Sequence, residues 1–540
     1  MKIKKLIIKN YKLLKEISLE LNNDINIFVG ENDSGKSTLL EVLGIITSGK
    51  LNGYAFDRQI KANLFNDDIR KDYKDSLINW QTAKEPPEII LEAYGDFDDP
   101  LYIGTNNSLH EESAGIRVHI SMNAAYNDIY LELLKKREIY DIPVEFYTVS
   151  YKYFNGSIVS YRFSPIKSAF IDTTRKDYTY VVDRFVAENI TTYLSAQEQT
   201  DLSTAYRKSR YDFHSNQIVK NLNQSVKDNV HIADKQLTID LKEENADDWK
   251  GQMSVVVGDT PFENIGFGSQ NTIKIELALK NSAQQVNIVL MEEPENNLSY
   301  TNTAKLIAHI QSSKDKQIFI STHSSFIANK LNLGKLFLVH NGQVSSFSNL
   351  SKDVIEYFKK LPGYNTLRMV LANKVILVEG PTEELLVQRA YYDFYSKYPI
   401  DDGIDIIVVD GLAFKKYCAI AKLLKKKTVI ITDNDSNIEQ NIKQKYSDYL
   451  DDQDFIICYE TNEDIYTIEV AVLEANCTNQ IPSETFKEVL SKNNSLVNKT
   501  KDEILSFMLN NKTEWAMRVF DHSKKIIYPE YITNAIKQFN

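Results

Sequence analysis

The segment Gly30–Ser37, GENDSGKS, restricts the possible folds of this chain more than any other. It has the form G-x-x-x-x-G-K-[ST], follows the apolar run Ile25–Val29 and leads into a helical pattern. In this setting glycines let backbone N–H groups turn towards phosphate oxygens, and the helix N-terminus adds partial positive charge. The segment therefore predicts an ATP-binding loop in an α/β domain, with Lys36 at the β- and γ-phosphates and the Ser37 hydroxyl on Mg²⁺. The expected nucleotide contacts are Gly30, Asn32, Gly35, Lys36, Ser37 and Thr38.

Such a loop requires an acidic partner on a neighbouring strand. The apolar run Val286–Met291 has the length of a strand and is followed by Glu292 and Glu293. We expect Glu292 to hold Mg²⁺ and Glu293 to act as the general base that activates the attacking water. A second predicted strand, Gln317–Ile320, leads to His323, which we expect near the γ-phosphate.

A second group of acidic residues lies in the C-terminal third of the chain. Glu379 follows the predicted strand Val375–Val378, and Asp433 and Asp435 follow the predicted strand Thr428–Ile431. Helical patterns alternate with these strands, which indicates a parallel sheet whose strand ends meet at one edge. Oxygen ligands without histidine or cysteine favour Mg²⁺, Mn²⁺ or Ca²⁺ over zinc. The three acids therefore predict a divalent metal site.

Together these segments resemble the OLD (overcoming lysogenization defect) family of ATP-dependent nucleases. The resemblance implies an α/β fold in which an ABC-type P-loop ATPase head of the SMC and RecF kind, over residues 1–350, precedes a parallel-sheet Toprim nuclease domain over 351–540. The polar stretch 183–230 is similar to the helical dimerisation insert of OLD proteins and is too short for a long coiled coil. Further strands of the head are expected at Glu88–Tyr94, Ile116–Met122, Tyr147–Phe154 and Ser157–Phe163.

The same resemblance implies nucleotide-binding, metal-binding and catalytic roles for further residues, which the sequence pattern around them does not indicate. The segment Gly266–Gln270, ahead of the helical pattern Thr272–Leu279, lies where these heads carry a signature that caps the ATP of a second subunit. Its sequence GFGSQ departs from the usual LSGGQ, and the implied nucleotide contacts are Gly268, Ser269 and Gln270. In the Toprim part, two metal ions would flank a scissile phosphate, with Glu383 and Glu469 as further metal ligands and Lys512 as a catalytic lysine.

The leading functional hypothesis is a metal-dependent DNA endonuclease controlled by ATP and assembled as a homodimer or larger homo-oligomer. The resemblance implies bacterial antiphage defence, with a helicase-like partner as in Gabija systems or a reverse transcriptase and its RNA–DNA product as in certain retrons. The alternative is an ATP-driven DNA clamp whose Toprim domain grips nucleic acid without cutting it. A primase or topoisomerase is disfavoured, because no tyrosine stands in a recognisable strand-attacking context.

Composition limits the partners and the compartment. The net charge of −11 argues against wholesale coating by nucleic acid but not against a local basic groove. Basic clusters could track a DNA backbone, although a solvated surface is the better interpretation of any one of them: Lys135–Arg137, Lys415–Lys416, Lys425–Lys427 and Lys524–Lys525. Three cysteines without a C-x-x-C pair predict a reducing, cytoplasmic setting. Membrane insertion is not expected, since no apolar run reaches the ~20 residues of a membrane helix.

Overall fold

The computed structural model describes residues 2–96, 99–161, 164, 166–173, 194–229, 238–239, 256–280, 286–348, 350–360, 364–409, 413–492 and 495–539. The chain forms two compact units. The first consists of Met1–Phe28, Gly35–Thr322 and Asn341–Gln343, and the second of Val29–Ser34, His323–His340 and Val344–Asn540.

Up to Thr322, strands and helices alternate irregularly. The strands are β1 (Ile3–Tyr11), β2 (Leu14–Glu20), β3 (Ile25–Val29), β4 (Lys50–Leu51), β5 (Tyr54–Ala55), β6 (Ile89–Gly95), β7 (Ile103–Gly104), β8 (Ser113–Met122), β9 (Tyr147–Tyr153), β10 (Ser168–Asp172), β11 (Val256–Val257), β12 (Thr260–Pro261), β13 (Ile288–Glu292) and β14 (Gln317–Ser321). The helices are α1 (Lys36–Ser48), α2 (Asp67–Ser76), α3 (Asn127–Lys136), α4 (Ala196–Ser215), α5 (Gln217–Asn229), α6 (Phe267–Lys280) and α7 (Tyr300–Ser312).

From His323 onward, the strands are β15 (Leu336–His340), β16 (Gln343–Ser346), β17 (Lys374–Val378), β18 (Ile404–Val408), β19 (Thr428–Ile431), β20 (Phe455–Cys458), β21 (Cys477–Thr478) and β22 (Ile481–Pro482). The helices are α8 (Ser325–Leu331), α9 (Lys352–Lys360), α10 (Tyr364–Leu371), α11 (Pro381–Tyr395), α12 (Phe414–Leu423), α13 (Ile468–Ala475), α14 (Glu484–Leu490), α15 (Lys501–Asn510), α16 (Lys512–Asp521) and α17 (Glu530–Lys537).

A parallel sheet positions the nucleotide-binding elements of the first unit. Its strands follow the order β10-β13-β14-β3, and every residue of β3 and β14 is buried, as expected for strands covered on both faces. Glu292 lies opposite Ser321, and Ser321 lies opposite Phe28. The carboxyl ends of these strands therefore form one edge, from which both the phosphate-binding loop and the acidic turn start.

An antiparallel sheet with the order β2-β1-β6-β8-β9 completes the first unit, and β7 also pairs with β8. The expected strand Ser157–Phe163 is wrong in its described part, where Ile158 makes a single isolated bridge to Lys152. The chain turns at Gly156, which has a φ of 91°, and after the turn only short pairing with β9 forms: Ile158 is 80% exposed, while Val159 is buried and its N–H donates to the Tyr151 carbonyl at 3.0 Å.

The stretch 183–230 is helical where the structure describes it. Helices α4 and α5 span most of residues 194–229, and α4 begins with a capping box between Ser195 and Glu198. Residues 183–193 and 230 lie outside the described part of the chain.

The second unit is built on a parallel sheet with the order β18-β17-β19-β20. Its core contains apolar side chains from the strands and from helices α11, α16 and α17, including Ile376, Leu386, Val429, Trp515 and Ile532. Because β17 and β19 are neighbours and parallel, the residues that follow them emerge at the same edge. The predicted parallel α/β sheet is confirmed.

Candidate functional site

The phosphate-binding loop adopts a conformation that its two glycines make possible. A Cβ atom on Gly30 would lie 2.2 Å from the carbonyl oxygen of Val339, and Gly35 has a φ of 109° directly before α1. Larger residues at either position would collide with the backbone or strain it. Lys36 is 5% exposed, and the loop residue Asn32 is exposed. Thr38 is 9% exposed.

The structure brings together the two residues predicted to hold magnesium at the nucleotide site. Ser37 is the second residue of α1, and its hydroxyl donates a hydrogen bond to Oε1 of Glu292, at the end of β13. A hydroxyl and a carboxylate are the oxygen donors that Mg²⁺ takes beside nucleotide phosphates. Their contact is the arrangement expected where a loop and an acidic strand end share a hard cation.

The predicted base and the predicted γ-phosphate contact lie just beyond these strand ends. Glu293 is half-buried, and its N–H donates to the carbonyl oxygen of Ser321 at 2.9 Å. His323 is exposed and, with Glu31 of the phosphate-binding loop, lines a cavity of about 300 Å³.

The helix that carries the signature segment begins earlier than the expected Thr272. Helix α6 begins at Phe267, so Phe267–Gln270 form its first turn. Gly268 allows a close approach, since a Cβ there would lie 2.3 Å from the carbonyl oxygen of Asn297. The buried Gln270 amide donates to backbone carbonyls within the chain, those of Glu263 at 3.3 Å and Ile265 at 3.0 Å. Ser269 is exposed, and of the three implied nucleotide contacts it is the one whose side chain faces solvent.

In the second unit, hydrogen bonds to Glu379 connect the ends of β17 and β19. This half-buried carboxylate follows β17, and its Oε1 accepts a hydrogen bond of 2.6 Å from the Thr432 hydroxyl. The same oxygen accepts from the N–H of Asp433 at 3.3 Å. Glu379 and Asp433 therefore meet at the sheet edge, as their positions in the sequence predict.

Buried carboxylates surround this contact. Burial, followed by the charges of Glu379, Glu383 and Glu469, raises the pKa of Asp433 to about 8. Burial raises the pKa of Glu383 to about 7, with further contributions from Glu379 and Glu469. These four residues, which we call the acidic cluster, repel one another, so a bound cation would lower the electrostatic cost of their ionised form.

The donor chemistry of the acidic cluster fits a divalent metal. Glu469 is 1% exposed on α13, and its Oε2 has no hydrogen-bond partner among the described residues. An orphaned, buried carboxylate oxygen needs a proton or a cation. Within the described ranges, however, no three acidic, histidine or cysteine side chains converge as a ready-made ligand set. The fit therefore rests on the donors and their burial.

Two predicted site residues lie outside the acidic cluster. Asp435 is exposed, has a φ of 45°, and its N–H donates to the carbonyl oxygen of Tyr466 at 3.2 Å. In an extended segment, residues two apart lie on the same face, as Asp433 and Asp435 would. The left-handed conformation of Asp435 interrupts that pattern. Lys512 is exposed at the start of α16. Neither is among the groups that shift the pKa of Asp433 or Glu383.

Two residues that adjoin the acidic cluster were not predicted from the sequence. Asn434 is 1% exposed, and its amide donates to the carbonyl oxygens of Glu460 at 2.8 Å, Asn462 at 3.0 Å and Ile465 at 3.2 Å. Tyr531, on α17, is 7% exposed, and its pKa is raised well above the usual value by burial, then by Asp433 and Glu383. A polar residue between two acids was a usable signal for Asn434. Tyr531 is too distant in the sequence to be found that way.

Several lysines of the basic clusters make contacts within the chain. The Lys426 ammonium donates to the carbonyl oxygens of Met369 at 3.0 Å and Val370 at 2.5 Å, at the end of α10. Others contact different parts of the chain: Lys136 with Glu132, Lys416 over the ring of Tyr357, Lys427 with the carbonyl of Gln538, Lys524 with Glu488, and Lys525 with the carbonyl of Asp393. These contacts favour the interpretation of a solvated surface over a DNA-tracking groove.

Within the described residues, no helix combines the length and the apolarity needed to cross a membrane.

Two family models match the chain. The AAA ATPase domain model (AAA_15) matches residues 1–328, and the Toprim domain model of overcoming lysogenization defect-like proteins matches residues 370–435. The predicted combination of an ATPase head with an OLD-type Toprim domain is confirmed.

Curated relatives agree with this combination. Endonuclease GajA of Bacillus cereus (strain VD045) is 21% identical over 471 residues, which cover 83% of this chain and 77% of that protein. Endonuclease GajA of Bacillus cereus (strain HuB5-5) is 27% identical over 206 residues, 31% of this chain and 29% of that protein. The DNA replication and repair protein RecF of Glaesserella parasuis serovar 5 (strain SH0165) is 41% identical over 64 residues, 12% of this chain and 18% of that protein.

Among solved structures, an SMC head domain from Thermotoga maritima is 13% identical with a TM-score of 0.31, covering 64% of this chain and 97% of that one. A RecF–ATP structure is 11% identical with a TM-score of 0.32, covering 64% and 98%.

Proposed function

Because the chain belongs to the AAA ATPase domain family and carries an OLD-type Toprim domain, we propose that it is a metal-dependent DNA endonuclease controlled by ATP. The observation that carries the proposal is the acidic cluster at the carboxyl edge of the Toprim sheet. Its members come from three segments of the chain, with Glu383 and Glu469 buried and Glu379 and Asp433 half-buried beside like charges. Such an arrangement costs stability and is expected where function requires it.

In the proposed nuclease site, the residues that would hold divalent metal are Glu379, Glu383, Asp433 and Glu469. Mg²⁺ or Mn²⁺, when bound, would stabilise the attacking and leaving oxygens of a phosphodiester. Thr432 orients Glu379 by donating to its carboxylate. Asp435 and Lys512 are both exposed. We propose that Asp435 joins the metal ligands and that Lys512 acts as the catalytic lysine at the phosphate once nucleic acid is bound.

In the proposed ATPase site, Lys36 binds the phosphates, and Ser37 with Glu292 provides the oxygen donors for Mg²⁺. Glu293 orients and deprotonates the attacking water, and His323 contacts the γ-phosphate. The signature turn, through Ser269, is proposed to meet ATP held by a second copy of the chain. Helices α4 and α5 are proposed to support that homodimer.

The wider setting rests on the resemblance to OLD proteins. We propose a role in bacterial antiphage defence, in the cytoplasm, with a further protein of the same defence system as partner. Both a helicase-like protein and a reverse transcriptase with its RNA–DNA product remain candidates for that partner.

The test is cleavage of plasmid DNA by the purified full chain with Mg²⁺ or Mn²⁺, with and without ATP. We expect Glu379→Gln and Asp433→Asn to abolish cleavage and retain DNA binding. Glu384→Gln is the matched control, because Glu384 lies on the same helix as Glu383, but its pKa is raised by burial and, among charged groups, is affected by Arg368 and Asp405 and not by the acidic cluster. DNA binding that needs Lys36, without cleavage under either metal, would instead identify an ATP-driven clamp.

A further inference from the structure

The turn that carries Glu293 is held by a residue from the neighbouring strand, Thr173. This threonine directly follows β10, which pairs in parallel with β13 so that Asp172 lies opposite Glu292. Thr173 is 8% exposed, and its hydroxyl lies 2.8 Å from the carbonyl oxygen of Glu292 and 2.5 Å from that of Glu293. Its N–H also donates to the Glu292 carbonyl at 3.3 Å. One side chain thus contacts both peptide groups of the acidic turn.

Glu293 has a backbone conformation that a residue with a side chain adopts only where its surroundings impose it. Its φ is 46°, in the left-handed region that is unfavourable for an L-residue with a side chain. Two more hydrogen bonds of 2.9 Å fix it, from its N–H to the Ser321 carbonyl and from the Asn296 N–H to its own carbonyl. The direction in which the Glu293 side chain leaves the backbone is therefore set by this turn.

We propose that Thr173 is a positioning residue for ATP hydrolysis, which holds the Glu293 turn so that the carboxylate meets the attacking water. The inference rests on the proposed role of Glu293 as general base. Thr173 acts through Glu293, so the rate of the hydrolytic step depends on it, while ATP binding by Lys36 and Ser37 does not. A displacement of about 1 Å in a catalytic group costs on the order of 100-fold in rate.

The hydroxyl is the part of Thr173 that matters. Valine has nearly the same shape but removes this donor, which leaves the Glu292 carbonyl with the longer bond from the Thr173 N–H and the Glu293 carbonyl with the bond from the Asn296 N–H. Losing the hydroxyl bond costs the turn part of its stability. The turn can recover part of that cost by relaxing out of its left-handed conformation, which would displace Glu293. Serine keeps the donor and loses only a methyl group.

The experiment compares ATP hydrolysis by the full chain, with Mg²⁺, in the wild type, Thr173→Val and Thr173→Ser. We expect Thr173→Val to lower kcat about tenfold or more with KM for ATP within about twofold, and Thr173→Ser to keep most of the activity. A wild-type kcat in Thr173→Val, an equal loss in Thr173→Ser, or a change confined to KM would each overturn the proposal. Should Thr173→Val not fold, Thr173→Cys replaces the hydroxyl with a weak donor and the same loss is expected.

A double-mutant cycle with Glu293→Gln separates positioning from a general loss of stability. If Thr173 acts through Glu293, Thr173→Val has no further effect on the residual hydrolysis of Glu293→Gln, whereas independent effects would multiply. Wild-type hydrolysis by Glu293→Gln alone would refute the role of Glu293 and the inference with it. Loss in Glu293→Gln together with multiplying effects would refute the inference and leave the role of Glu293 intact.

Discussion

The hydroxyl of Thr432 donates a hydrogen bond of 2.6 Å to Oε1 of Glu379, which joins the ends of two neighbouring parallel strands at the acidic cluster. The N–H of Asp433 reaches the same oxygen at 3.3 Å. One oxygen of Glu379 is thereby fixed by neutral donors that remain in place whether or not a cation is bound. The position of this carboxylate is thus set by the fold itself.

Removing that hydroxyl should weaken the proposed metal site. A hydrogen bond to a charged group contributes about 1.5–3 kcal/mol, so we expect Thr432→Val to raise the Mn²⁺ concentration needed for half-maximal DNA cleavage about tenfold. Thr432→Ser, which keeps the hydroxyl, should resemble the wild type. An unchanged metal dependence in Thr432→Val would show that Glu379 is held by other contacts.

The raised pKa values of the acidic cluster predict how stability depends on pH without metal. Asp433, with a pKa of about 8 against an ordinary 3.8, and Glu383, with a pKa of about 7 against 4.5, both bind protons more tightly in the folded chain. Their stabilisation is complete below the ordinary values and is lost as pH rises through about 7–8.

We therefore expect the melting temperature of the metal-free protein to fall between about pH 5 and about pH 9. Asp433→Asn removes one of the repelling charges and should flatten the decline, and Mg²⁺ should raise the wild-type melting temperature most at the alkaline end. The measurement is thermal unfolding in a chelator and in Mg²⁺. An identical decline in Asp433→Asn would mean that other groups cause it.

Asn434 provides a prediction about the loop that precedes Glu469. Its amide donates to three backbone carbonyls between residues 460 and 465, so Asn434→Asp replaces a buried donor with a carboxylate facing those oxygens. We expect a loss of about 2 kcal/mol or more in unfolding free energy and a weaker response of the melting temperature to Mn²⁺.

Asn476→Asp is the matched control for this change. Asn476 is 4% exposed, and its amide donates to the carbonyls of Val472 at 2.8 Å and Ile527 at 2.7 Å. It should lose similar stability but keep the wild-type response to Mn²⁺. Equal metal responses in the two variants would contradict a role for Asn434 at the acidic cluster.

Features of the fold and of the candidate site could be predicted where neighbouring residues in the sequence determine them. Strands β3 and β19 were predicted to the residue, because buried parallel strands are short apolar runs followed by polar residues. Strand β10 was missed: its sequence SAFID is short, Phe170 is 38% exposed, and no motif follows it. Thr173, directly after β10, was missed with it.

Contacts between residues far apart in the sequence could not be predicted, for a different reason. The partners of Asn434 are carbonyl oxygens, which every residue has, so the side-chain sequence does not encode them. Tyr531 approaches the acidic cluster through the packing of α17, an element whose position depends on the whole Toprim core. The contact of Lys426 was also not predictable, because its position in the basic run Lys425–Lys427 does not indicate that its ammonium caps α10.

Lys426 supplies the last prediction. Lys426 is half-buried, its ammonium donates to carbonyls at the end of α10, and burial lowers its pKa to about 8, so its charged group is engaged within the fold. Lys426→Met should lower the unfolding free energy by about 1–2 kcal/mol, while the exposed neighbour Lys425→Met should change it by less than about 0.5 kcal/mol. Because a buried ammonium neutralises no DNA phosphate, the salt dependence of DNA binding should be the same in Lys426→Met as in the wild type. A shallower salt slope in Lys426→Met, without loss of stability, would place this lysine in a DNA-binding groove after all.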